Sequence, residues 1–121
     1  MKKSPLYENH LALNAKMLPF AGYEMPIQYE GIVSEHLAVR TAAGLFDVSH
    51  MGEICISGKN AEYFLNKMTI NDVSKLSVDQ AQYTAICNGK GGIIDDLILY
   101  KYENHFMVVT NASNHEKDLA W

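Results

Sequence analysis

The chain predicts an α+β fold, an antiparallel sheet with helices packed against it. Three observations carry this. Residues 81–87 and 93–101 are rich in β-branched and aromatic residues, and Asn88-Gly89-Lys90-Gly91-Gly92 joins them as a glycine-rich hairpin loop. A further such run, Phe106 to Thr110, follows after a turn at Glu103-Asn104, so the three strands form a local antiparallel meander. Ala61, Phe64, Leu65 and Met68 repeat at i, i+3, i+4 and i+7, the spacing of an amphipathic helix.

The other elements follow in order. Ser4-Pro5 predicts a helix start, with Ser as N-cap, and a short helix to about Asn14. Lys16 to Gln28 holds Pro19, Gly22 and Pro26 among aromatics and predicts short extended pieces joined by turns. Ile32 to Ala43 predicts a helix with an apolar stripe of Ile32, Val33, Leu37 and Ala38, closed by Gly44 as a C-terminal cap. Phe46 to Ile56 predicts strand, interrupted around His50-Met51-Gly52. Ser113-Asn114-His115-Glu116 has the form of a capping box and predicts a last helix. That helix has few turns before Trp121, and helices this short are marginal alone, so the expectation is a fragment of a longer protein. Residues 1–121 are expected to form a single α+β unit, with no complete second domain.

Composition excludes several function classes. Hydrophobic residues make up 48% of 121 residues, enough for a packed core. The net charge is −4 and the lysines are scattered, so no nucleic-acid footprint is present. No apolar run is long enough to span a membrane, and Pro5, Glu8 and His10 stand where a secretory signal needs its apolar core. Cys55 and Cys87 match no metal or redox spacing and predict reduced thiols in a cytoplasmic protein. The five histidines have no metal-ligand spacing, so no metal is expected.

The segment from Ile93 to Tyr100 is the most informative. Ile94, Ile98 and Tyr100 fall on one strand face and Ile93, Leu97 and Leu99 on the other, which predicts burial on both sides. Each face carries one carboxylate, Asp95 or Asp96. A buried, unpaired carboxylate costs several kcal/mol or shifts its pKa. Neighbouring strand residues point apart, so the two cannot act as a pair on one substrate. Two roles stay open: one of them faces a ligand, or both bind backbone amides of the glycine loop. Tyr83 and Tyr100 either flank the interior carboxylate, which would suit a flat heteroaromatic ligand, or pack as ordinary sheet residues. Asp47, Ser49 and His50 do not make a triad, because Ser49 and His50 point apart on an extended segment. They predict turn and backbone bonding instead.

Several stretches together resemble one family. They are Pro5-Leu6-Tyr7, Pro19 to Pro26, Glu35 to Arg40, Leu45 to Glu53, Thr69 to Val73, Ala81-Gln82-Tyr83, Asn88 to Tyr100 and Asn111 to Trp121. In this order they resemble the aminomethyltransferase, or T-protein, family of the glycine cleavage system. The resemblance implies the first part of a three-domain cloverleaf around a folate site. It implies transfer of a methylene carbon from the aminomethyl-lipoyl arm of H-protein to tetrahydrofolate, with release of ammonia, in glycine catabolism. No metal is implied. It assigns the catalytic carboxylate to Asp96 and a structural role to Asp95. Met51, Tyr83, Ile98 and Tyr100 would frame the pterin, Val109 would pack nearby and Asn111 would give a polar contact. Cys55 falls where the family has an apolar wall residue. Other folate contacts of the family lie beyond Trp121. The alternatives are a non-catalytic folate-binding relative, or an inactive fragment that self-associates.

Overall fold

Ala21 and Gly22 reverse the chain at φ of 48° and 82° in the computed structural model, which describes residues 1–121. Positive φ at both central residues matches the right-handed twist of the flanking strands. The turn joins β2 (Lys16–Phe20) to β3 (Tyr23–Gln28), and β1 (Lys2–Lys3) adds in parallel on the other edge of β3. Pro19 and Pro26 both lie in this small sheet. The two helices of this region are α1 (Tyr7–Ala12) and α2 (Ile32–Thr41). The chain divides into two compact units, Met1–His50 and Met51–Trp121, and this small sheet belongs to the first.

The start of α1 differs from expectation, whereas α2 begins at Ile32 as predicted. Ser4 does not cap α1, whose N-cap position is Leu6. The Ser4 hydroxyl accepts from the Leu6 amide at 3.2 Å and donates to Asp47 at 2.6 Å, so a tertiary bond claims it. At α2 the cap comes from within the helix. Glu35 Oε1 accepts from the amides of Tyr29, Glu30 and Gly31 at 2.8, 2.8 and 2.9 Å. These backbone bonds, led by that of Gly31, hold the Glu35 carboxyl below its usual range. At its other end α2 stops at Thr41, whose hydroxyl donates to the Leu37 carbonyl at 2.8 Å. Gly44 has no positive φ and caps nothing. The expected stripe of α2 is exposed, and the helix buries no residue.

The second unit is built on a four-stranded antiparallel sheet in the order β4-β7-β6-β5. Its strands are β4 (Gly52–Ser57), β5 (Ala81–Cys87), β6 (Ile93–Lys101) and β7 (His105–Thr110). The meander is the one predicted, but the strand expected over Phe46 to Ile56 forms only from Gly52, with no strand from Phe46 to Met51. Asn88 closes the β5–β6 loop, its side-chain oxygen accepting from the amides of Lys90 and Gly92 at 2.9 and 3.0 Å. Neither Asp95 nor Asp96 binds these amides. Helix α3 (Ala61–Met68) covers one sheet face, and a short 3-10 helix (Val73–Lys75) follows it. Ala61, Leu65, Val73, Leu76, Ile86, Leu97, Leu99, Phe106 and Val108 form the core there. Helix α4 (His115–Ala120) follows Asn114, which makes no side-chain cap bond, so the capping box does not form.

Candidate functional site

The registers of this sheet decide which side chains share a face. Glu53 pairs with Val109, Val109 with Ile98, and Ile98 with Tyr83. In the next row Cys55 pairs with Met107, Met107 with Tyr100, and Tyr100 with Ala81. Directly paired residues project to the same side. Asp96 pairs with Ala85 and lies two residues from Ile98, so it joins them. Cys55, Tyr83, Asp96, Ile98, Tyr100 and Val109 therefore occupy one face of the sheet. Met51 immediately precedes β4, and Asn111 immediately follows β7.

Burial corrects the expectation for β6. Asp95, Leu97 and Leu99 are buried, whereas Asp96 and Ile98 are exposed and Tyr100 is half-buried. Within this unit helices cover the opposite face only, so β6 is buried on one side. Its start also departs from strict alternation. Ile86 pairs with Asp95 but Cys87 pairs with Ile93, which leaves Ile94 as the extra residue of a bulge. Ile94 consequently packs against the core beside Asp95 instead of sharing the face of Ile98. Tyr83 is 69% exposed. None of the main cavities is lined by Asp96 or its neighbours on the open face.

Asp96 is nonetheless held in place. The Tyr83 hydroxyl donates to its Oδ2 at 2.9 Å. The Asn111 amide donates to its main-chain oxygen at 3.0 Å and reaches its Oδ1 at 3.4 Å. The same Asn111 Nδ2 donates to Asp95 Oδ1 at 3.1 Å. One amide thus ties both carboxylates to the end of β7. The bond to Asp96, and the charge behind it, push the Tyr83 hydroxyl above its usual pKa, so it stays a donor at neutral pH. The interior carboxylate is Asp95, and Tyr83 meets the exterior one. A carboxylate fixed on an apolar, partly aromatic face can orient a polar heteroaromatic ligand and stabilise positive charge developing on it.

This chain is similar to a well-defined set of proteins. The family model described as GCVT N-terminal domain matches residues 6–121. The chain belongs to this family. An aminomethyltransferase of Caldanaerobacter subterraneus is 57% identical over 100% of this chain and 33% of its own length. An aminomethyltransferase of Flavobacterium psychrophilum is 56% identical over 100% of this chain and 34% of its own length. The crystal structure of glycine cleavage system aminomethyltransferase T from Bartonella henselae superposes with a TM-score of 0.93 at 44% identity. That match covers 98% of this chain and 34% of the Bartonella chain. The chain spans about a third of the length of the relatives it matches. The α+β class and the likeness to the T-protein family, both expected from sequence, hold.

The GCVT N-terminal domain contains two polar arrangements that sequence reasoning missed. In the first unit His10 bridges Asp47 and Tyr29. Its Nε2 lies 2.7 Å from Asp47 Oδ2 and its Nδ1 lies 2.8 Å from the Tyr29 hydroxyl. Ser4 Oγ donates to the same Asp47 oxygen at 2.6 Å, and the Ser49 amide donates to the other at 2.9 Å. Burial drives the Asp47 carboxyl upward, but the bonds from Ser4, Ser49 and His10 outweigh it and hold it well below the usual range. Asp47 makes the expected backbone bond to Ser49, and its histidine partner is His10, not His50. In the second unit Asp118 of α4 meets Asp95, and both are buried. The partners are separated by 37 residues in one case and lie on different elements in the other, so no local spacing announces them. Cys55 and Cys87 are free thiols. No group of three or more His, Cys, Asp or Glu side chains converges as a metal site, and no helix is long and apolar enough to cross a membrane.

Proposed function

We propose that this domain supplies the pterin-side wall of a tetrahydrofolate site in a full-length aminomethyltransferase of the glycine cleavage system. In that protein the methylene carbon passes from the aminomethyl-lipoyl arm of H-protein to tetrahydrofolate, ammonia leaves, and the arm is released as a dithiol. H-protein is the partner, and the reaction belongs to cytoplasmic one-carbon metabolism and glycine catabolism. Asp96 is the catalytic carboxylate. It orients the attacking folate nitrogen and stabilises positive charge on the iminium-like carbon. Tyr83, Ile98, Tyr100, Val109 and Met51 frame the ring, Cys55 stands at the edge of that wall, and Asn111 gives a polar contact.

One observation carries this reading. The Tyr83 and Asn111 bonds fix the Asp96 carboxylate on a sheet face that also carries Ile98, Tyr100 and Val109. That face is uncovered within its own unit, so the remaining two thirds of the relatives' length would supply the opposing wall. The test uses the full-length protein with lipoylated H-protein and tetrahydrofolate. Asp96→Ala should lower turnover at least about a hundredfold, the usual loss when a charge-stabilising group is removed. It should leave stability within about 0.5 kcal/mol, because the side chain is exposed. A variant that turns over normally removes the role of Asp96. A wild type that binds folate but ignores aminomethylated H-protein would instead favour a non-catalytic folate binder.

A further inference from the structure

Behind Asp96 two buried acids face each other. Asp95 is 7% exposed and Asp118 is 9% exposed. Asp95 Oδ2 and both carboxyl oxygens of Asp118 meet no N–H or O–H donor. An ionised carboxylate only accepts, so two of them in contact would leave three dry acceptor atoms beside two like charges. A single shared proton removes one of the two charges and leaves only one of the three oxygens without a partner. Asp95 already receives the Asn111 amide at 3.1 Å. Asp118 instead lines an apolar hollow with Ile54, Leu97, Val108 and Leu119. The proton therefore sits on Asp118 and is donated to Asp95 Oδ2. One residue earlier on α4, Lys117 Nζ donates to the carbonyl of the bulged Ile94 at 2.8 Å. Helix α4 thus grips β6 at two consecutive positions just before Asp96.

We propose that Asp118 is a positioning residue for Asp96: its carboxylic acid proton fixes Asp95, Asp95 fixes the Asn111 amide, and Asn111 holds Asp96. This role rests on the reading of Asp96 as the folate-side carboxylate. The charged and titratable groups around Asp118 are Asp95 on β6 and Lys117 and His115 on its own helix. Burial, reinforced by Asp95, pushes the Asp118 carboxyl up to about 6 against the pull of Lys117 and His115. Burial also presses Asp95 upward, but the bonds from Asp118, Asn111 and Asn114 prevail and hold it below the usual range. A folded-state value above the unfolded one means that Asp118 stabilises the fold below about pH 4. That contribution fades as pH rises through about 6. The grip on Asn111 loosens over the same interval.

The experiment compares Asp118→Asn, Asp118→Ala and wild type in the full-length protein, with tetrahydrofolate affinity measured from pH 5.5 to 8.5. An Asn amide donates to Asp95 at every pH, so Asp118→Asn should match wild type within about twofold at pH 5.5. Its advantage over wild type should then grow to threefold or more by pH 8.5. Asp118→Ala should bind at least tenfold more weakly at pH 5.5, where the acid is intact in wild type. A ratio of Asn variant to wild type that does not change with pH overturns the proposal, as does an Asn variant as weak as the Ala variant. Carbon NMR of the Asp118 carboxyl gives a second measure, independent of folding losses in the variants. Titration near pH 4 in a protein that binds folate removes this role alone. A wild type that binds no folate at any pH removes the reading of Asp96, and this role falls with it.

Discussion

Removing the Asp47 carboxylate should unlock the first unit. The side chain is 3% exposed and satisfies three donors, the Ser4 hydroxyl, the His10 ring and the Ser49 amide. Asp47→Ala leaves all three facing a void. A buried donor without an acceptor costs about 1–3 kcal/mol. Ser4 can rotate its hydroxyl to another acceptor, but His10 is pinned at its second nitrogen by Tyr29. We therefore expect about 3–5 kcal/mol in total, from the His10 and Ser49 donors left unpaired. Hydrogen exchange reads this locally. Amides of Tyr7–Ala12 should lose about a hundredfold or more of their protection at pH 7, since 1.4 kcal/mol is a factor of ten. The pH dependence has a definite sign. The folded-state pKa of Asp47 is depressed, so its contribution is complete above about pH 4 and is lost as pH falls through the lowered value. The gap between wild type and variant must narrow on acidification, as seen in urea unfolding at pH 7, 5 and 3. A loss below about 0.5 kcal/mol, or a gap that stays constant down to pH 3, refutes the reasoning.

Two further outcomes test how the sheet faces are assigned. Leu99→Ala, at a fully buried site, should cost about 2–5 kcal/mol in urea unfolding, whereas Ile98→Ala on the open face should cost under about 1 kcal/mol. Equal losses would mean that β6 is buried on both sides. Tyr83→Phe should leave stability within about 0.5 kcal/mol and, in the full-length protein, weaken folate binding about tenfold or more in calorimetry, the worth of one hydrogen bond to a charged acceptor.

Much of the second unit was legible because its signals are local. The β5–β6–β7 meander needs only short connections and a glycine loop, and α3 needs only the Ala61–Phe64–Leu65–Met68 spacing. The first unit was less legible. Ser4-Pro5 carries the signature of a helix start, yet Ser4 serves Asp47 instead, 43 residues away. The stripe on α2 has helical spacing but is left uncovered, so periodicity reported an element without its partner. Gly44 failed as a cap because a cap also needs positive φ, which a glycine permits but does not impose. Asp118 passed unnoticed because nothing in Lys117-Asp118-Leu119 distinguishes a buried acid from a surface one.

The Asp95-Asp96 pair explains why alternation alone misjudged β6. Six apolar residues around two acids suggested a strand greasy on both sides. The bulge at Ile94 turns that residue into the core beside Asp95, leaving Ile98 and Tyr100 to share the other face with Asp96. The two acids then meet opposite conditions. Asp95 is buried and its charge must be met by hydrogen-bond donors, whereas Asp96 is exposed and needs only to be aimed. Asn111 serves both ends, since a single amide contacts each carboxylate. A strand that buries one acid can therefore display the next at a fixed angle. Asn111 holds the main chain as well as the carboxylate of Asp96, so Asn111→Ala should lower turnover of the full-length protein more than the loss of any apolar neighbour on the open face.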